Sequence, residues 1–192
     1  MRAAQAALEA SGPEAVSLRA IAEDLGVSRG APYRHFADRR ALLAEVAARG
    51  FADLAEAYER AQAGAPDPTA ALRETARAYL SLAFGRPGVF RLMFYSDLLA
   101  VDPPPNLIAP AAAAWEGFYQ AVARADPGAE VSTNKRRALT GWSTLHGFIA
   151  LVQGGTLKGF MTEPLSEAEL VEAVIDKTMG EDVAHRRSAS GK

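Results

Sequence analysis

Ala- and Leu-rich stretches, with apolar residues three and four positions apart, run the length of this chain and are cut at intervals by glycine and proline. The period-two alternation of Val, Ile and Thr that builds strands is missing. Such a chain buries its apolar stripes by packing helix on helix, and the sequence predicts an all-α fold. Gly12-Pro13 ends a first helix of about ten residues. Ser17 caps a second, "LRAIAEDL", closed by Gly26. Ser28 caps a third that runs to Phe36. Asp38 caps a fourth that reaches Ala63, in which Leu42, Leu43, Val46, Leu54 and Tyr58 form one stripe. Asp67 followed by Pro68 opens a fifth, ended by Gly85. A short sixth starts near Pro87, and "DPPPN", 102–106, marks a loop. A seventh covers 107–125 with Pro110 in its first turn, and Asp126-Pro127-Gly128 breaks it. Ser132 caps an eighth, ending at Gly154-Gly155. Ser166 to Glu169 has the form of a capping box that opens a ninth, ending near Met179.

The expected organisation is a three-helix unit over 1–45, a helix-turn-helix DNA-binding domain. The long fourth helix joins it to an antiparallel bundle over 46–182, for about nine helices in all. Residues 183–192 form a polar tail expected to be disordered. Hydrophobic residues make up 49% and charged residues 23%, enough for a buried core and a wetted surface. Without cysteine there are no disulfides, thiolate metal sites or cysteine nucleophiles. The first residues lack the continuous apolar core of a secretory signal, and no run of about 18 apolar residues exists to span a membrane. A cytoplasmic protein is expected.

The net charge of −2 conceals an uneven distribution. Between Val27 and Arg40, four arginines (29, 34, 39 and 40) stand against Asp38 alone, a local net of +3 that leaves −5 for the rest. Such a concentration is the electrostatic footprint of a nucleic-acid reader. In "SLRAIAEDLGVSRGAPYRHF", Ile21, Leu25 and Val27 are expected to pack inward, with Phe36 anchoring the end and Ala4, Ala7 and Leu8 closing a three-helix core. Gly26 sits where a tight turn between helices at roughly 90–120° needs φ > 0. The pattern is a helix-turn-helix, whose second helix enters the major groove. Gly30 lets backbone approach base edges, and Pro32 presets φ. Arg29 and Arg34 suit guanine O6 and N7. Tyr33 and His35 offer donors to phosphate, and Arg39 sits at a helix start, where phosphate is attracted.

Residues from about 4 to 51 resemble the DNA-binding domain of the TetR/AcrR family of transcriptional regulators. Matched position by position, the resemblance implies phosphate or base contacts at Ser28, Arg29, Gly30, Tyr33, Arg34, His35 and Arg39. In it Tyr33 and His35 face the phosphate backbone, and Arg39 replaces a common lysine, keeping the charge but changing the geometry. One departure is that only Arg2 precedes the first helix, where members often carry a basic arm. Either the regulator lacks that arm, or the chain begins inside a longer product.

Farther along no HExxH, GxSxG or phosphate loop occurs, and His35, His146 and His185 stand in separate contexts. No catalytic residue, metal site or cofactor is expected. "GWSTLHGFIALVQGG" is apolar nearly all round, so its helix must be covered on both sides. With "RPGVFRLMF" before it, it resembles the C-terminal domain of TetR-type regulators with a Trp-His-Gly signature. That resemblance implies a homodimer through a four-helix interface built from the eighth and ninth helices. Phe84, Met93, Phe94, Trp115, Phe118, Tyr119, Trp142 and His146 either line a ligand cavity or simply pack the core. The expected function is a ligand-responsive transcriptional regulator, a homodimeric repressor, whose partners are a pseudo-palindromic double-stranded operator and a small-molecule effector. The alternative is a helical small-molecule-binding or protein-interaction module that does not read DNA.

Overall fold

Capping side chains mark the starts of four helices. Ser17 Oγ accepts from the Ala20 N–H at 3.1 Å. Asp38 Oδ1 accepts from Ala41 N–H, and Asp67 Oδ1 from Ala70 N–H, each at 2.8 Å. Ser166 and Glu169 form the reciprocal capping box. Each such cap satisfies an amide that a helix start leaves unpaired and is worth about 1 kcal/mol. The computed structural model describes residues 1–97 and 103–179. The expected tail, 183–192, lies outside the described residues, as do His185 and Asp102 of the "DPPPN" stretch.

Among the described residues there are nine α-helices, two short 3₁₀ turns and no strand. The helices are α1 (Arg2–Ser11), α2 (Leu18–Asp24), α3 (Arg39–Ala63), α4 (Pro68–Gly85), α5 (Pro87–Tyr95), α6 (Pro105–Ala125), α7 (Val131–Gln153), α8 (Gly159–Thr162) and α9 (Glu167–Thr178). Two boundaries differ from the expectation, and one helix is additional. Pro105 belongs to α6, because a first helical position needs no donated N–H. α7 starts at Val131, and Ser132 does not cap it: the Ser132 hydroxyl turns to the Glu130 carboxylate at 3.3 Å. α8, a single turn in the α7–α9 connection, was not expected.

The chain forms two compact units: Met1–Ala55 with Gly85–Ala114, and Glu56–Phe84 with Trp115–Lys192. In the first, Leu8, Val16, Leu18, Ala22, Leu42, Val46 and Phe51 are buried, and so are Val89, Phe90, Leu92 and Met93 of α5. α5 packs on α1 through backbone: a Cβ at Gly88 would come 2.7 Å from the Leu8 carbonyl oxygen. The Glu9 carboxylate then accepts from the amides of Gly88 and Val89, at 2.7 and 2.9 Å. A side chain of α1 thus caps α5, where an anion also complements the helix dipole.

In the second unit α7 packs on α9 through Ala138, Gly141, Leu145 and Ile149, against Ile175 and Thr178. Arg73 of α4 pairs with Glu172 and Asp176 of α9, and Arg77 with Glu172. Arg137 pairs with Asp126 across the turn before α7.

Candidate nucleic-acid interface

The turn after α2 is built as the sequence demands, with Gly26 at φ +63°. Beyond it the expected third helix, 28–36, is not an α-helix. The segment makes a run of turns with a 3₁₀ turn at Pro32–Arg34. Ala31 N–H bonds the Ser28 carbonyl at 2.9 Å, Arg34 N–H that of Ala31 at 3.3 Å and His35 N–H that of Pro32 at 3.0 Å. The reason lies in the composition that makes the segment distinctive. Pro32 has no N–H to return to Ser28, and Gly30 costs about 1 kcal/mol relative to Ala in a helix. Nor can so short a segment offset the cost of helix nucleation.

This geometry corrects a packing expectation as well. Leu25 and Val27 do not turn inward but are 57% and 46% exposed. They border an apolar groove of about 270 Å³ shared with Leu18, Pro32 and Phe36. Ile21 is buried as expected, and Phe36 is half-buried.

Ser28, Arg29, Gly30, Tyr33, Arg34 and His35 are all exposed, with Tyr33 at 56%. Arg29 lies 3.8 Å from Glu23, which is held more closely by Arg19 at 3.0 Å. An exposed pair of that length is worth well under about 1 kcal/mol, so Glu23 holds Arg29 only weakly. Arg39 is different. Its Nε donates to the Val16 carbonyl at 2.8 Å and its Nη2 to the Pro13 carbonyl at 2.6 Å. The guanidinium therefore fastens the α1–α2 connection to the start of α3.

The residues expected to line a cavity are distributed over both units. Met93 and Phe94 belong to the first. Met93 is fully buried, and Phe94 lies against Phe51 and Phe90, at centroid distances of 5.3 and 4.8 Å. The other six belong to the second. Phe118 packs on Tyr58, Phe84 meets Phe148 edge-on, and Tyr119 is half-buried.

Trp142 and His146 come together on Tyr79, which sequence reasoning missed, and Trp115 packs on Trp142. Trp142 Nε1 donates to the Tyr79 oxygen at 2.9 Å, and that oxygen lies 2.6 Å from His146 Nδ1. Trp115 meets Trp142 edge-on, with centroids 6.2 Å apart. Burial holds the His146 imidazole below its usual pKa, so it is neutral at pH 7. With Nδ1 as acceptor, the proton order runs Trp142 to Tyr79 to His146. Nothing near Tyr79 in the sequence points to this role, because its partners lie more than sixty positions away.

Among the described residues, no group of three or more His, Cys, Asp or Glu is placed to hold a metal ion. None of their helices is long and apolar enough to cross a membrane.

Residues 1–46 match the family described as bacterial regulatory proteins, tetR family, and residues 72–178 match the tetracyclin repressor-like C-terminal domain. No curated protein sequence matches the chain. Among solved structures it is similar to a protein of unknown function from Rhodococcus sp. RHA1. That similarity has 31% identity and a TM-score of 0.78, over 92% of this chain and 89% of that one. A putative regulatory protein, SCO4313, is 26% identical with a TM-score of 0.74, over 92% and 91% of the two chains. The TetR family transcriptional regulator PfmR from Thermus thermophilus shares the fold, with a TM-score of 0.67 at 22% identity, over 93% and 97%. With the C-terminal match alone covering more than half of its length and a helix-turn-helix region matching ahead of it, the chain belongs to the TetR family of ligand-responsive, DNA-binding transcriptional regulators.

Proposed function

We propose that the chain is a cytoplasmic, homodimeric repressor that binds a pseudo-palindromic operator and releases it when a small molecule enters the helical region. Residues 1–45 read DNA and residues 46–182 sense the effector and dimerise. The observation that carries this reading is the exposed 28–35 segment, whose arginines, tyrosine and histidine are left for an acceptor outside the chain. Arg29 and Arg34 take base edges or phosphate. Tyr33, His35 and the Ser28 hydroxyl take phosphate, and Gly30 allows backbone approach. Arg39 adds charge there while positioning the α1–α2 connection.

Dimerisation uses α7 and α9, the last two long helices. It is supported by the apolar residues left exposed on α7 and the connection after it: Val131, Leu139, Leu151, Val152, Phe160 and Leu165. The effector sits among the aromatic residues of the second unit, with Trp142 and His146 on Tyr79 as its polar corner and Trp115 packed on Trp142. Phe84, Phe118 and Tyr119 are its candidate apolar contacts, whereas Met93 and Phe94 serve the packing of the first unit. A ligand that prefers one spacing of the two reading heads shifts operator affinity by about 1–3 kcal/mol.

Selection of bound fragments from genomic DNA, followed by titration at several salt concentrations, tests the reading. A two-fold symmetric site is expected, with an affinity that falls steeply with salt as phosphate counterions are released. A protein that enriches no sequence and whose duplex binding is insensitive to salt overturns it.

A further inference from the structure

Phe160 is the most exposed large apolar side chain among the described residues, at 85%, and Met161 beside it is also exposed. Both sit on α8, a single turn held by local bonds. The Lys158 ammonium donates to the Gly155 carbonyl at 2.7 Å. The amides of Met161 and Leu165 donate to the Lys158 and Thr162 carbonyls, each at 2.8 Å. The turn therefore presents an aromatic ring and a flexible thioether chain to water, with a positive charge two residues ahead.

The same unit carries a receptacle of matching character. Between α4 and α9 runs an open groove of about 730 Å³, floored by Leu80, Phe84, Ala168 and Val171. Phe84 is held there by its edge contact with Phe148. Two acids, Glu167 and Glu172, line it as well, together with Arg77. Glu172 is engaged by Arg73 and Arg77, which leaves Glu167 to meet a cation from outside.

We propose that α8 is a dimer hook: Phe160, followed by Met161, enters the α4–α9 groove of a second copy of this chain, and Lys158 settles against Glu167 of the partner subunit. A basic residue beside an exposed ring faces an acidic residue beside an apolar groove, so charge and apolarity agree on one occupant. In its own chain the ring stays in water while the groove stays open. Exposed Leu151 and Val152 at the end of α7 and Leu165 in the connection flank α8 in sequence, so the hook extends apolar surface already exposed beside the helices assigned to dimerisation. Two-fold symmetry then supplies two identical hooks. A ring buried at the centre of a surrounding set of weaker contacts is the form that interface hot spots take. The inference rests on the homodimer reading given above.

The absence of cysteine makes the test clean. Sedimentation equilibrium of Phe160→Ala is expected to show a dimer dissociation constant raised at least tenfold, with an unchanged helical circular-dichroism signal. Copies carrying Met161→Cys, mixed with copies carrying Ser81→Cys, are expected to give a species of dimer mass with a short bis-maleimide. The double variant, diluted into an excess of cysteine-free copies, is expected to give none of monomer mass with an internal link. A Phe160→Ala protein that dimerises like the parent overturns the hook and leaves the homodimer standing. Internal cross-linking of the diluted double variant also overturns it, by showing that α8 closes on its own groove. A parent chain that sediments as a monomer overturns the homodimer itself, and the hook with it.

Discussion

The 27–36 segment of the first unit and the α4–α7–α9 packing of the second draw on the same side chains, arginine and tyrosine beside histidine, and put them to opposite uses. In the second unit each is answered from within. Arg73 and Arg77 meet Glu172 and Asp176, Arg137 meets Asp126, and Tyr79 joins Trp142 to His146. In the first, Tyr33, Arg34 and His35 are exposed on a 3₁₀ turn, and Arg29 has only a long contact to Glu23. A donor satisfied inside the chain contributes to stability, whereas one left outside contributes when an acceptor arrives. Substitutions in the two regions should therefore register in different experiments.

The largest separation is expected from Leu145→Ala. Leu145 is fully buried in the α7–α9 packing, and truncation there costs about 2–5 kcal/mol. The denaturation midpoint should fall accordingly, and a loss below about 1 kcal/mol would mean that the packing is loose. Next comes Arg34→Ala, expected to weaken operator binding by about 1–3 kcal/mol while changing stability by no more than about 0.5 kcal/mol. A lower melting temperature with unchanged DNA affinity would reverse the assignment of the two regions.

Tyr79→Phe should cost about 1 kcal/mol of stability, because the Trp142 N–H and His146 Nδ1 lose their shared partner. No change would show that water replaces the hydroxyl without penalty. The smallest effect concerns acid. Burial lowers the His146 pKa in the fold, so the unfolded chain takes up that proton first. Stability is then fully present above the unfolded value of about 6.5 and is lost as pH falls from there through the lowered folded value. Melting temperatures between pH 7.5 and 5.5 should therefore fall less for His146→Gln than for the parent, and parallel curves would remove His146 from the acid response.

What could be read from the chain was local. Ser17, Asp38, Asp67 and the Ser166–Glu169 pair cap where their type and position say they should, and Gly26 takes the positive φ its turn requires. Capping involves neighbours three residues apart, so sequence carries it directly. The 28–36 segment was read for its chemistry and misjudged in its backbone. A cap and a downstream anchor suggested a helix, but the Gly30 and Pro32 penalties outweigh a single turn's hydrogen bonds. Arg39 was placed correctly at a helix start, yet its carbonyl partners, 23 and 26 positions back, gave no signal. Glu9 and Tyr79 were missed for the same reason: each acts on a segment that only the folded chain brings near.

The Glu9–Gly88 clasp bears on how this protein can be dissected. The stretch that matches the DNA-binding family ends at residue 46, but the core beneath it is completed by α5, some forty positions downstream. An isolated 1–46 fragment would leave α1 without the Gly88 backbone that packs on Leu8 and would strip Glu9 of both its amides. The smallest self-standing piece that keeps this core is therefore expected to be discontinuous, with α5 spliced back onto α3 rather than the chain cut at the family boundary.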